Sequence, residues 1–390
     1  MASPPEQPTT IQNLPGELLS EIMIRVPAKP LARMRSVSKS WNHLLSQPSF
    51  IKSHLHRSLH NNNDEILLVL ADRGFDDPFA DRGFHDTFSV TAHFSGSPHL
   101  ELTDFVKPPV VMSRFESETF EFLGSVNGLI CFCYRLDYVY SAFHLESYNG
   151  LVIQIWNPSL STILALPPCQ LPYPNVNFTY ACFRFGYDPK TDDYKLFKLM
   201  RGVKESLHVE VYSLRKDSWG LITQRFSWHV TQFSNEDKVC VDGCDGCLHW
   251  LGYIGEGSML QTIVAFDLGM ETFSEISLPK FERFWHNLGV IAGKLCLLSR
   301  TKNLECEVWV MNEYGVAKSW VKRNVISELR GVFYPYGFTP SNKFLFATLD
   351  DSFGLYDPIS ANTKIMASIK RSIKVVRYVE SLVWMAPVRI

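Results

Sequence analysis

The feature that most constrains the fold is a pair of short apolar segments that recurs between residues 128 and 358. The second segment of each pair carries an aromatic residue, at positions 156, 212, 266, 309 and 356, so successive units lie 56, 54, 43 and 47 residues apart. The segments alternate with a period of two and are separated by turn signals, which indicates strands. One four-stranded blade of a β-propeller takes roughly 40 to 50 residues. The spacing therefore predicts an all-β, propeller-like domain.

Five units are visible in the repeat. Their first segments are 128–132, 194–197, 247–250, 294–298 and 343–346, and their second segments are 155–158, 211–214, 265–268, 308–311 and 355–358. Residues 65–105 are predicted to supply a sixth unit, and residues 378–384 a last strand that closes the ring. Closure is expected because open sheet edges recruit unwanted strands. We therefore predict about six blades within residues 65–390.

Residues 11–57 have a helical pattern instead. Apolar residues recur every four positions at Leu14, Leu18, Ile22 and Val26. Pro27 and Pro30 predict the end of this helix and the start of a second over 31–37, and a third helix is predicted over 38–46. Residues 1–10 are predicted to be disordered and residues 58–64 to form a linker. The chain should thus be multidomain, with a small all-α module of three helices before the β domain.

A module of this size cannot bury much surface alone, so it is expected to complete its core against something else. Residues 11–57 contain seven lysines and arginines but only two glutamates. This surplus of positive charge favours an acidic partner.

The helical module resembles the F-box of plant F-box proteins in three runs. These runs are 14–22 (LPGELLSEI), 26–31 (VPAKPL) and 37–45 (VSKSWNHLL). The β domain resembles the F-box-associated domain of the same families, including the type found at self-incompatibility loci, in residues 156–158, 166–168, 185–188, 193–195 and 241–250. Together the two resemblances cover nearly all of the chain after residue 10.

This resemblance implies the substrate-recognition subunit of an SCF-type ubiquitin ligase. The F-box would bind the Skp-family adaptor, and through it the cullin and RING subunits, while the propeller-like domain captures a target protein for ubiquitination. The positions that match the adaptor-binding motif are Leu14, Pro15, Leu18, Ile22, Leu31, Val37 and Trp41. Considered without the motif, residues 14, 18, 22 and 41 would suit the inside of a helical bundle equally well. Arg33 and Arg35 depart from the family pattern, where one of these positions is often apolar.

Composition excludes several other classes of protein. The formal charge of -2 is too balanced for a nucleic-acid-binding protein. The first ten residues do not resemble a secretory signal, and no window approaches 18 uninterrupted apolar residues, so we expect no membrane association and a location in the cytoplasm, the nucleus or both. The nine cysteines are scattered through apolar stretches, which is typical of packed thiols in a reducing compartment.

Catalytic and metal-binding motifs are absent from the sequence, so we expect a non-catalytic protein that requires no cofactor. The best metal candidate is the group Cys240, Cys244, Cys247 and His249, which is interpreted as a turn between two strands. The acidic pairs 192–193 and 350–351 are interpreted as turn residues. Two alternatives remain open, namely an F-box protein that acts as a scaffold outside the ligase and a propeller-fold enzyme.

Aromatic residues concentrate where the second strand of a predicted blade connects to the third and where one blade crosses to the next. Antiparallel pairing places these two kinds of connection on one face of a propeller. Exposed aromatic residues are strong interface anchors. The sequence therefore predicts a target-binding face that includes Tyr138, Tyr140, Tyr148, Tyr173, Phe178, Phe284, Trp285, Tyr334 and Tyr336.

Overall fold

The computed structural model describes residues 14–60, 66–72, 88–94, 97–101, 120–135, 151–169, 178–202, 207–222, 230–233, 246–254, 261–279, 286–303, 305–326, 333–339, 342–348, 352–368 and 373–383. These residues form a helical module followed by six four-stranded antiparallel sheets. None of the described helices is long and apolar enough to cross a membrane.

The helical module contains four helices, one more than the sequence pattern predicts. They are α1 (Gly16–Met23), α2 (Ala28–Met34), α3 (Lys39–Leu45) and α4 (Pro48–His60). The fourth helix begins at Pro48, because proline fits a first turn whose N–H would be unpaired anyway. Helix α4 extends past residue 57, so the first residues of the predicted linker 58–64 are helical.

Six sheets form the blades, and we number them by their position along the chain. Blade I contains β1 (Ile66–Asp72), β2 (Phe88–Phe94), β3 (Ser97–Glu101) and β24 (Ile373–Tyr378). Blade II contains β4 (Phe120–Val126), β5 (Leu129–Arg135), β6 (Leu151–Asn157) and β7 (Thr162–Ala165). Blade III contains β8 (Phe178–Asp188), β9 (Asp193–Gly202), β10 (Leu207–Ser213) and β11 (Ser218–Ile222).

The remaining blades follow the same order. Blade IV contains β12 (Val230–Phe233), β13 (Cys247–Ile254), β14 (Gln261–Asp267) and β15 (Thr272–Ile276). Blade V contains β16 (His286–Ile291), β17 (Lys294–Arg300), β18 (Cys306–Met311) and β19 (Trp320–Ile326). Blade VI contains β20 (Phe333–Phe338), β21 (Phe344–Thr348), β22 (Ser352–Asp357) and β23 (Asn362–Ser368).

The repeat in the sequence is confirmed strand by strand. Its first segments are the second strands of blades II to VI, and its aromatic segments are the third strands. Trp156, Tyr212 and Phe266 of the third strands are buried, and Tyr212 and Phe266 belong to apolar clusters between blades. Each main apolar cluster joins two neighbouring blades: II with III, III with IV, IV with V, and V with VI. Burial between blades is thus the reason that the spacing repeats.

Blade I closes the ring with strands from two distant parts of the chain. Strand β24 pairs antiparallel with β1, with Ile66 opposite Tyr378 and Val69 opposite Val375. The closing strand had been predicted over 378–384, but it ends at Tyr378, where that prediction began. The aromatic and apolar residues after Tyr378 drew the prediction too far along the chain.

The turn between the third and fourth strands repeats as well. A polar side chain at the end of the third strand accepts backbone N–H groups of the turn: Asn157 from Leu160 at 3.2 Å, and Asp267 from Met270 at 2.8 Å. The last turn residue has a positive φ, as at Ser161 (52°) and Glu271 (54°). These local bonds satisfy backbone groups that the strands leave open.

Candidate functional site

Helix α1 presents two of its apolar residues to solvent. Leu18 and Ile22 are 53% and 54% exposed, and they lie four residues apart on one face of the helix. The neighbouring face is turned inward, where Leu19 and Met23 pack in the core of the module. The bundle interpretation of residues 18 and 22 is therefore wrong. An exposed apolar helix face of this kind is typical of a surface that another protein covers.

The structure separates the seven motif residues into exposed and buried groups. Pro15 and Val37 are exposed, Val37 to 66%, while Leu14 and Trp41 are partly buried. Leu31 was grouped with the adaptor-binding residues, but it is fully buried. Its side chain packs in the module's own core, so it supports a binding surface only by maintaining the fold.

Two polar devices hold the turn that carries Val37. The Arg35 side chain donates from Nε to Asn42 Oδ1 at 3.1 Å and from Nη2 to Ser46 Oγ at 2.8 Å. These two bonds connect the end of α2 to α3. Ser38 caps α3, because its hydroxyl accepts the backbone N–H of Trp41 at 3.1 Å. Arg35 thus has a structural role within the module.

The module rests on one particular face of the propeller. Leu160, in the turn between the third and fourth strands of blade II, packs against the module's core. Lys52 of α4 forms an ion pair, at 2.6 Å, with Asp192 in the turn between the first and second strands of blade III. Since the strands are antiparallel, both turns lie on the same face. The second-to-third connections and the crossovers between blades emerge on the opposite face.

A further contact comes from the segment after β24. Leu382 is 1% exposed and belongs to the apolar core of the module, and Glu380 Oε2 accepts the backbone N–H of Ala28 at 2.8 Å. Neither these contacts nor the Lys52–Asp192 pair is predicted by the sequence pattern. No local pattern marks them, because the partners are separated by 352 residues in the case of Ala28 and Glu380.

The aromatic residues predicted to bind the target fall into two groups. Three of them belong to the first strands of their blades rather than to loops: Phe178 begins β8, and Tyr334 and Tyr336 lie in β20. Their aromatic rings favour strands, which explains the difference. Both strands carry a register shift, between Phe178 and Tyr180 and between Pro335 and Gly337. Tyr138, Tyr140, Tyr148, Tyr173, Phe284 and Trp285 lie outside the described residues.

The acidic pair at 192–193 has structural roles in the described part of the chain. Asp192 occupies a turn with φ 54°, as the turn interpretation predicts. Asp193 is buried, and its carboxylate accepts the Ser213 hydroxyl at 2.5 Å and the Arg215 N–H at 2.9 Å. The pair at 350–351 lies outside the described residues.

The metal candidate is only partly described. Cys240 and Cys244 lie outside the described residues, and Cys247 is a buried cysteine at the start of β13. His249 Nε2 lies 2.9 Å from the Tyr314 hydroxyl, and burial lowers the pKa of His249 to about 4, so the imidazole is neutral at pH 7. Within the described ranges, no group of three or more histidine, cysteine, aspartate or glutamate side chains is placed to hold a metal ion.

Helical module, exposed α1 face and six-bladed propeller together define an F-box protein with a propeller domain. Residues 11–53 match the F-box domain, and residues 83–348 match the F-box associated beta propeller domain. The second match alone spans more than half of the chain. The chain therefore belongs to the family of proteins with an F-box associated beta propeller domain.

Several proteins of Arabidopsis thaliana are similar to this chain. F-box protein CPR1 is 28% identical over 82% of this chain and 74% of its own length. F-box protein At4g22390 is 27% identical over 79% and 72%, and F-box/kelch-repeat protein At3g23880 is 25% identical over 80% and 78%. The similarity thus covers about four fifths of this chain in each case.

Proposed function

We propose that this protein is the substrate-recognition subunit of an SCF-type ubiquitin ligase. Its F-box binds a Skp-family adaptor and, through it, the cullin and RING subunits, and its propeller captures a protein target. The observation that carries the proposal is the exposed face of α1, where the apolar residues Leu18 and Ile22 are more than half exposed while Leu19 and Met23 pack in the module's core. Membership of the F-box family supports the same partner.

The mechanism is proximity rather than catalysis. A receptor of this kind holds a target lysine within reach of a ubiquitin-loaded enzyme and raises its effective concentration. It therefore needs no catalytic group, cofactor or metal of its own, and it acts in the cytoplasm, the nucleus or both.

The target-binding face is proposed to be the one opposite the F-box. The F-box occupies the face with the first-to-second and third-to-fourth turns, as the contacts of Leu160 and Asp192 indicate. The described strand ends that lead into the second-to-third connections and the crossovers lie at the opposite face, and we assign the target to that face. Loops of this kind concentrate binding function.

The adaptor interface is tested with the double variant Leu18→Asp and Ile22→Asp in the full chain. Each apolar anchor in an interface is worth roughly 2 kcal/mol, so affinity for a purified plant Skp-family adaptor should fall on the order of a hundredfold or more. The matched control is Leu221→Asp on β11, because Leu221 is 56% exposed and lies on a propeller strand. Full affinity of the folded double variant would refute the proposed interface.

The target face is tested by capture in plant extract under proteasome inhibition. Proteins that copurify with both the intact chain and the Leu18→Asp and Ile22→Asp variant, while the adaptor is lost, are target candidates. Single alanine substitutions at Tyr140, Tyr173, Trp285 and Tyr336 should each weaken their capture without affecting the adaptor. Normal capture by all four variants would contradict this placement.

A further inference from the structure

The segment 379–383, which follows β24, lies between the F-box module and blade II. Two of its residues are among the most buried in the protein: Ser381 is 0% exposed and Leu382 is 1% exposed. The segment is not part of a strand, so its position depends on side-chain contacts and isolated hydrogen bonds.

One side of this segment is fastened to blade II. Asn157 Nδ2 donates to the carbonyl oxygens of Ser381 at 3.1 Å and Val383 at 2.9 Å, and the Ser381 N–H donates to Ser159 Oγ at 3.0 Å. Val383 packs against the apolar cluster between blades II and III. At Gly128 (φ +78°), an added Cβ would lie 2.4 Å from the carbonyl oxygen of residue 379, so the close approach requires glycine.

The other side of the segment is fastened to the F-box. Leu382 packs with Met23, Leu31 and other core residues of the module. The Glu380 carboxylate accepts the N–H of Ala28, the first residue of α2, whose own N-cap residue Pro27 provides no side-chain acceptor. A helix leaves its first N–H groups unpaired and favours negative charge there, so Glu380 completes α2 from outside the module.

The contacts therefore alternate along the segment. Glu380 and Leu382 face the F-box, whereas Ser381 and Val383 face blade II. Such alternation is what an extended chain between two bodies produces. Because β24 also pairs with β1, the same stretch of chain closes the propeller ring and contacts the F-box.

We propose that residues 379–383 act as a strap that completes the F-box core and holds the F-box in one orientation on the propeller. The F-box is then docked on the propeller, and the stability of the F-box depends on the closed ring. The strap would also fix the distance between adaptor and target, and only this consequence rests on the proposed function.

The strap is tested by hydrogen–deuterium exchange of the full chain, with Leu382→Ala compared with Val383→Ala. The two residues are neighbours, but Leu382 packs in the F-box and Val383 between blades. Leu382→Ala should speed exchange in α2 and α3 by about tenfold or more and leave β5 and β6 unchanged. Val383→Ala should do the reverse. Wild-type exchange in α2 and α3 of Leu382→Ala, or the same pattern in both variants, would overturn the proposal.

A second variant keeps the test decisive if Leu382→Ala does not fold. Glu380→Ala removes one acceptor without opening a cavity, and it should speed exchange at the start of α2 a few-fold, on the order of the loss of a single helix cap. Glu380→Gln retains an acceptor oxygen and should restore most of the protection. Wild-type protection in Glu380→Ala would contradict the strap. Neither measurement uses adaptor or target, so the outcome is independent of the proposed function.

Discussion

The F-box module and the propeller differ in how they cover their apolar residues. In the propeller, neighbouring blades pack against each other, and aromatic residues of third strands such as Tyr212 and Phe266 are buried between sheets. In the module, three of the four helices have only seven or eight residues, Leu18, Ile22 and Val37 stay exposed, and Leu382 from outside the module completes the core. A repeat array buries its apolar residues between its own repeats, whereas a small helical module needs residues from outside to cover some of its apolar surface.

The largest effect is expected inside the propeller, which buries charge as well as apolar surface. Lys198 Nζ lies 2.9 Å from Glu210 Oε2 across β9 and β10, and the Lys198 side chain is fully buried. Lys198→Met leaves the buried carboxylate unpaired and should reduce the free energy of unfolding by about 3–5 kcal/mol. Urea titration measures this change.

The control for this prediction removes both charges. Lys198→Met combined with Glu210→Leu should recover most of the lost stability, because a buried ion pair can often be replaced by apolar residues at little cost. If the double variant is as unstable as the single one, the unpaired charge is not the cause.

The next effect compares two leucines within the F-box. Leu31 is fully buried, so Leu31→Ala should reduce the free energy of local opening of α2 by about 2–5 kcal/mol. Leu18 is 53% exposed, so Leu18→Ala should change it by less than about 0.5 kcal/mol while weakening adaptor binding. Native-state hydrogen exchange with and without adaptor separates the two. Equal destabilisation by both variants would contradict the assignment of Leu18 to an exposed face.

Local patterns predicted most of this fold. The aromatic period located the third strands of blades II to VI, and Pro27 located the boundary between α1 and α2. The helix stripe identified Leu18 and Ile22 but not their exposure, because periodicity shows which residues share a face and not what covers it. The family motif likewise grouped buried Leu31 with exposed Val37.

Long-range contacts set the limit of sequence-based prediction here. The contact between Glu380 and Ala28, and that of Leu382 with the F-box core, depend on where ring closure delivers the segment after β24. Aromatic residues in connections were equally ambiguous, since the same side chains favour strands and interfaces, and Tyr334 and Tyr336 lie in β20.

A smaller effect is expected at the cap of α3. Ser38→Ala removes the hydroxyl that accepts the Trp41 N–H, and it should lower the stability of this helix by about 1 kcal/mol. Ser38→Asp keeps an acceptor and is the control. Hydrogen exchange in α3 provides the measurement, and identical loss in both variants would mean that the cap is not what stabilises the turn beside Val37.

The smallest effect concerns the ion pair that joins the two regions. Lys52 and Asp192 are both at least half exposed, so Lys52→Met should cost only about 0.2–1 kcal/mol. The Lys52 ammonium, and next the hydrogen bond from Tyr187, hold the pKa of Asp192 below its usual range. The folded protein therefore keeps this carboxylate charged at pH values at which the unfolded chain binds a proton. This contribution is complete above the unfolded pKa, near 4, and is lost as the pH falls through the lower folded value.

Urea titrations of the wild type and Lys52→Met should accordingly differ at pH 7 and converge at strongly acidic pH, and also in about 1 M salt, where exposed charges are screened. The matched variant is Lys190→Met, because Lys190 forms an ion pair with Asp267 at 3.1 Å and both residues belong to the propeller. Hydrogen exchange at pH 7 should place the Lys52→Met effect in α4 and the Lys190→Met effect in blades III and IV. If the Lys52→Met difference persists undiminished in acid and in high salt, the contact between the regions does not depend on this charge pair and rests on the strap and Leu160 alone.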